Sequence, residues 1–170
     1  ALSRLAADKA LAADMVVAAM PGTAAAAHLV TLPFADARRV EQTIGFEVEG
    51  LVPFEVADVA FDHQVLAQGA GKTDLLVGVV PKSALVSLLG ALAEVNAEPR
   101  VVTLAPLAWQ SALPPSEGDE SEAVIDIGHE RTTVLISGAA GPELARTFNG
   151  GGRDLTRVLA ADLGITLEDA

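Results

Sequence analysis

Apolar and polar positions along this chain switch repeatedly between a period of two and a period near 3.6, so strands and helices interleave. Met15 to Met20 and His28 to Leu32 read as strands, the second run closed by Pro33. Asp36 is placed to cap a helix whose apolar residues Val40, Ile44, Val48 and Leu51 recur at intervals of four, four and three. Gly50 and Pro53 end it. Val56 to Ala67 and Asp74 to Val80 read as two β runs, joined through Gln68-Gly69-Ala70-Gly71-Lys72 as a hairpin. A second helix follows Pro81, with Leu85, Leu88, Leu89, Leu92 and Val95 along one side. Arg100 to Leu104 is a β-branched strand, and Leu107 to Leu113 a brief helix.

The composition then changes. Residues 114–121 are polar, acidic and rich in breakers, the best boundary in the chain. They separate residues 1–113 from residues 122–170, where strands are expected at Glu122 to Ile127, Thr132 to Ser137 and Glu143 to Phe148. A helix from Gly152 to Leu163 follows, expected to turn Leu155, Val158, Leu159 and Leu163 inward and to stop at Gly164. The fold class is mixed α/β, and no repeat at solenoid spacing is visible.

Charge and composition narrow the function. The net charge is −12, and the eleven Lys and Arg residues are scattered, which argues against a nucleic-acid surface. The chain has no cysteine, which removes disulfides, thiolate metal sites and thiol catalysis. His28, His63 and His129 lie far apart, without metal-ligand spacing. No apolar stretch is long enough to span a bilayer, so direct membrane insertion is not expected. No signal-peptide pattern opens the sequence, and the expectation is a cytoplasmic protein. It starts at Ala1 without a methionine and ends just after a helical segment, so a piece of something larger is expected.

Two glycine motifs invite a phosphate reading. Gly69-Ala70-Gly71-Lys72-Thr73 looks like the end of a P-loop, but Leu66 stands where the first glycine belongs. A strand pattern follows it, where phosphate binding needs a helix N-terminus. The second motif is Val124-Ile125-Asp126-Ile127-Gly128-His129-Glu130-Arg131-Thr132-Thr133. A strand delivers Asp126 at its end, where a carboxylate can hold a metal-bound water. Gly128 permits close backbone approach to an anion, and the hydroxyls of Thr132 and Thr133 begin the next strand. An ordinary hairpin with a polar corner explains the same residues. Downstream, Gly150, Gly151 and Gly152 lead into Arg153-Asp154-Leu155-Thr156.

This order of strand, hairpin, strand, glycine turn and helix resembles the second phosphate loop of the actin, sugar-kinase and heat-shock-chaperone superfamily. Upstream, Phe46-Glu47-Val48-Glu49-Gly50-Leu51-Val52-Pro53-Phe54, Leu75 to Pro81, Pro106-Leu107-Ala108-Trp109 and Thr166 to Ala170 resemble, in order, segments of the PilM family of type IV pilus assembly proteins. GspL, its type II secretion counterpart, and FtsA share the architecture.

The resemblance implies an actin-like, ribonuclease H-like piece: part of a first large subdomain with a small inserted subdomain, then the start of a second large one. It also implies a cytoplasmic scaffold, peripheral to the inner membrane, that binds the N-terminal tail of a PilN-like membrane protein between the first large and the small subdomain. The helix from Asp36 to Glu49 and the strands around Leu75 to Val80 would then belong to the partner-facing subdomain. ATP and Mg2+ would belong to the full-length protein. Asp126, Gly128, Thr132, Thr133 and Gly150 to Gly152 supply only part of such a site, so no cofactor and no enzymatic activity are expected of this piece. The first phosphate loop has no match in residues 1–35, and the strand edges this leaves open make self-association an alternative. The competing readings are a GspL-like secretion domain, a sugar or carboxylate kinase and a polymer-forming actin relative.

Overall fold

A computed structural model describes residues 2–7, 14–112 and 120–170. Most of the expected linker at residues 114–121 therefore lies outside the described residues. Among the described residues three small sheets form. Strand β1 (Val16–Met20) pairs in parallel with β5 (Pro99–Leu104). Strands β2 (Ala26–Leu32), β3 (Val59–Gly69) and β4 (Lys72–Pro81) make an antiparallel sheet in the order β2-β4-β3. Strands β6 (Glu122–Ile127), β7 (Arg131–Gly138) and β8 (Gly141–Asn149) make a third, in sequence order. The described residues also form five α-helices: α1 (Leu2–Ala7), α2 (Ala37–Leu51), α3 (Lys82–Ala93), the single turn α4 (Ala105–Ala108) and α5 (Gly152–Leu163). The apolar pattern does not predict α1, and the run expected to start a strand at Val56 opens instead with a 3-10 turn over Val56–Asp58.

Helix α2 starts where its chemistry allows. Asp36 stays extended, and its carboxylate accepts the Arg39 N–H at 2.8 Å, satisfying one of the donors that a helix N-terminus leaves open. Its buried residues Val40, Ile44 and Val48 pack on Val30 and Leu32 of β2 and on Leu75, Val77 and Val79 of β4. Full burial of each such side chain contributes about 1.5–3 kcal/mol.

Strand β4 alternates. Leu75, Val77 and Val79 face α2, whereas Leu76 joins Ala27, Leu135 and Ala145 in a second core that carries the third sheet. Gly78 belongs to that second face too, where a Cβ would come within 3.1 Å of Leu104 at the end of β5. The β3–β4 hairpin closes through Ala70 and Gly71 alone, at φ of 50° and 76°. Positive φ at both positions is the two-residue turn that matches strand twist. What looks like a P-loop tail is this turn.

Two helix faces depart from the pattern. In α3 only Leu92 is buried, and Leu89 is exposed, because the third core uses just Ala18, Leu92 and Ala97 with half-buried neighbours. In α5 the expected inward face points to solvent: Leu155, Val158, Leu159 and Leu163 are 44–66 % exposed, and Ala160 is the buried residue. Periodicity shows that one side of a helix is apolar, but not that another element covers it. Among the described residues α5 is held at its N-terminal end, and no element lies over the stripe.

The seam between the second and third sheets carries an imidazole. His28 of β2 lies against Glu143, Leu144, Ala145 and Arg146 of β8, and its Nε2 is buried with no hydrogen-bond partner. Desolvation, with the Arg146 guanidinium adding to it, holds His28 below the ordinary imidazole value of 6.5. The folded state therefore favours neutral His28, and stability is fully present above the unfolded value near 6.5. It is lost as pH falls below that value toward the lower folded one. Urea midpoints measured between about pH 7.5 and 5 should drop for the native chain, and His28→Gln should flatten that part of the decline. An unchanged profile in the variant would remove His28 from the account.

Candidate functional site

The predicted phosphate-loop residues do meet in one corner. β6 ends at Ile127, and Gly128 donates its N–H to the Arg131 carbonyl at 2.9 Å, closing the turn into β7. Asp126 is exposed and stands opposite Thr133 in the ladder. The Thr132 hydroxyl donates to the Gly150 carbonyl at 2.8 Å, and the Thr133 and Thr147 hydroxyls share a hydrogen bond of 2.9 Å. Both hydroxyls thus brace the protein itself.

The start of α5 is also occupied. The N–H groups of Gly150, Gly152 and Arg153 donate to the carbonyls of Glu130, Gly128 and His129 at 2.8–2.9 Å. The Gly151 N–H donates to the Asp154 carboxylate at 3.2 Å, and the Arg153 guanidinium pairs with Glu130. A helix N-terminus attracts phosphate through open N–H groups. Here the turn after β6 takes the donors first, so the corner as folded does not offer these amides to an anion. Among the described residues no group of three or more His, Cys, Asp or Glu is placed to hold a metal.

The contact is close enough to require glycine at one position. A Cβ on Gly151 would sit 2.4 Å from the Gly128 carbonyl oxygen and 2.7 Å from that of His129, whereas one on Gly152 would meet the same Gly128 oxygen at 3.7 Å. Gly151→Ala should therefore cost about 1–3 kcal/mol in urea unfolding, the range of an overpacked site. Gly152→Ala, at the first helical position, should be neutral or slightly stabilising. Equal effects from the two would show that the seal does not hold α5.

A second region was not specified residue by residue in the sequence. The chain crosses from β1 to β2 through a turn in which the Ala24 N–H donates to the Pro21 carbonyl at 2.8 Å, and it crosses back from β4 to α3 at Pro81. Between these crossings lies a groove of about 300 Å³. Thr23 to Ala26 and Ala84 give it small walls, Val52 and Phe54 close the side below α2, and Val59 and Val79 lie toward the sheet. Phe54 is 51 % exposed there. Lys82 holds the border by donating to the Ala57 carbonyl at 2.7 Å. The expected partner-facing elements contribute only through Val79 of β4 and the residues just after α2. The alanine-rich turn after Pro21-Gly22 was the missed signal: small side chains between two strands leave room beside them. A narrower cleft of about 170 Å³ lies between Met20, Leu85 and Leu104 and the β3–β4 pair.

Over residues 1–170 the chain matches the family described as type IV pilus assembly protein PilM. Among solved structures it is similar to a chain of the PilM-PilN type IV pilus biogenesis complex, with 24 % identity and a TM-score of 0.74, over 91 % of this chain and 48 % of that one. It is also similar to the cytoplasmic domain of EpsL, an inner-membrane component of the type II secretion system of Vibrio cholerae, with 19 % identity and a TM-score of 0.61, over 97 % of this chain and 63 % of that one. At these identities the likeness shows the fold alone, and this chain spans about half the length of the matched chain in the PilM-PilN complex. Curated protein sequences give no match. The residues that suggested PilM segments, the observed mixed α/β fold and the family match thus lead to one conclusion: the chain belongs to the PilM family of type IV pilus assembly proteins.

Proposed function

We propose that this chain acts as a cytoplasmic scaffold of a type IV pilus assembly machine, and that it binds the N-terminal tail of a PilN-like inner-membrane protein in the groove beside Phe54. The observation that carries this reading is the groove itself. It is apolar and shallow-walled, it lies between the two chain crossings, and it has an aromatic ring at its margin. An extended tail can seat an apolar side chain there and exclude water, the usual source of affinity in such pockets. Family membership supports the pilus machine over the secretion machine that the EpsL likeness suggests. No helix among the described residues is long and apolar enough to cross a membrane, so a protein partner is the proposed route to the inner membrane.

The same reading makes the chain a binder and not an ATPase. Phosphoryl transfer needs several elements acting on the phosphates together. The one corner that resembles a phosphate loop spends its helix-start amides on the β6–β7 turn.

Calorimetric titration tests both halves. A synthetic peptide from the PilN-like tail should bind, and Ala84→Trp, which fills the groove, should weaken that binding at least tenfold, or about 1.4 kcal/mol. Magnesium-ATP should give neither heat of binding nor turnover. ATP turnover proportional to protein and lost in Asp126→Ala, without peptide binding, would put the kinase reading in its place.

A further inference from the structure

The acidic residues at the C-terminal end of α2 run against its dipole. A helix is stabilised by acidic groups near its N-terminus and basic groups near its C-terminus. Here Asp36 caps the N-terminus with the favourable sign and Arg38 and Arg39 follow it in the first turn, but Glu47 and Glu49 lie at or beside the last turn, with no basic residue there to offset them. The two arginines and two glutamates are exposed; Arg39 stacks its guanidinium over the Phe34 ring at 4.3 Å, whereas Glu47 and Glu49 enter no ion pair among the described residues. The arrangement adds two carboxylates to the negative end of the helix, and that end leads through Val52 and Phe54 into the groove.

The surrounding sequence reinforces it. From Val40 to Gly71 there are six acidic residues and no Lys or Arg. Glu55, the N-cap of the 3-10 turn, and Asp58, its last residue, lie in sequence between the groove residues Phe54 and Val59, and both are exposed. Among the described residues, Glu47, Glu49, Glu55 and Asp58 enter no ion pair. The nearest cation in sequence on the opposite wall, Lys82, has its ammonium on the Ala57 carbonyl. The arginines at the far end of α2 are about 16 Å away along the axis, beyond the screening length at physiological salt. A sequence that breaks a local rule without a structural return is expected where function requires it.

We infer that the groove selects a basic tail: a segment that sets an apolar side chain against Phe54 and the alanines and a Lys or Arg against the carboxylates of Glu49, Glu55 and Asp58. The inference rests on reading the groove as a docking site and adds the chemistry of what docks. Charge complementarity at the membrane points to the same occupant. Cytoplasmic segments beside a membrane span are enriched in Lys and Arg. A chain of net charge −12 is repelled by an anionic leaflet, so a basic tether both recruits it and offsets that repulsion.

The test uses the full chain and two short synthetic peptides that share the same leucines and differ only in carrying lysines or glutamines beside them. Binding is read by fluorescence anisotropy at low and raised salt. The lysine peptide should bind roughly tenfold more tightly at low salt, and the gap should close as salt is added. Each exposed pair contributes about two- to fivefold, so the double variant Glu55→Gln/Asp58→Asn should erase most of the gap while leaving the glutamine peptide unaffected. Arg38→Gln should leave the ratio between the peptides unchanged.

Equal affinities, with both peptides still lost in Ala84→Trp, would overturn the basic-tail inference and keep the groove. The same holds if Arg38→Gln shifts the ratio as much as the rim variant does, because the preference would then follow net charge and not place. If neither peptide binds, the groove reading and this inference fall together.

Discussion

Strand β4 is the constraint on which the rest of the structure depends. It is the middle strand of its sheet, and its two faces serve two different cores. Leu75 and Val77, wholly buried, fix α2 above one face, while Leu76 and the bare backbone of Gly78 receive the third sheet and Leu104 on the other. Because side chains alternate with a period of two, a slip of one residue would exchange these faces and unseat both layers. The register is held from both sides, by seven paired residues with β2 and ten with β3. Buried Thr73 adds a hydrogen bond from its hydroxyl to the Phe34 carbonyl, tying the start of β4 to the entrance of α2.

That constraint also makes the groove. β4 leaves its sheet at Pro81, where the ring ends the ladder and the chain turns directly into α3. The companion crossing from β1 to β2 is made of small residues, and Gly22 within it lies so close to β8 that a Cβ would meet the Thr147 hydroxyl at 2.2 Å. The first crossing is thus packed against β8 on its far side, Lys82 ties the second to the Ala57 carbonyl, and alanines line the groove between them. A rigid wall of small side chains is suited to seating part of another chain, since little must reorganise when it is filled.

The glycine corner shows how similar sequence can carry different local chemistry. In a phosphate loop, backbone N–H groups at a helix start stay open for the anion. In this fold the same groups close a seal between the β6–β7 turn and α5, and Arg153 with Glu130 covers it. Of the two glycines at the start of α5, only one is demanded by this seal. Gly151 is required here because carbonyl oxygens, not phosphate, approach within the space of a methyl group.

The sequence by itself determined the elements and several of their boundaries. Asp36 and the four-four-three spacing placed α2, the apolar run from Asp74 to Val80 placed β4, and Gly164, in the left-handed conformation at φ 64°, marked the end of α5. These features are local, set by backbone sterics and hydrogen bonding within a few residues, and can be read from one chain segment at a time. Family membership was legible for a related reason, since short segments in a fixed order survive without any contact being known. Tertiary structure alone decided which apolar faces are covered. α2 and α5 carry equally plain stripes, yet β2 and β4 bury Val48 completely while no described element lies over Leu155. It alone decided that Thr132 and Thr133 brace the corner, and that residues 23–26, 52–54 and 81–84 enclose one groove. Burial, donor satisfaction and cavities are properties of surfaces that meet across long sequence separations, so the residues that create them carry no local signature of the partner they will find.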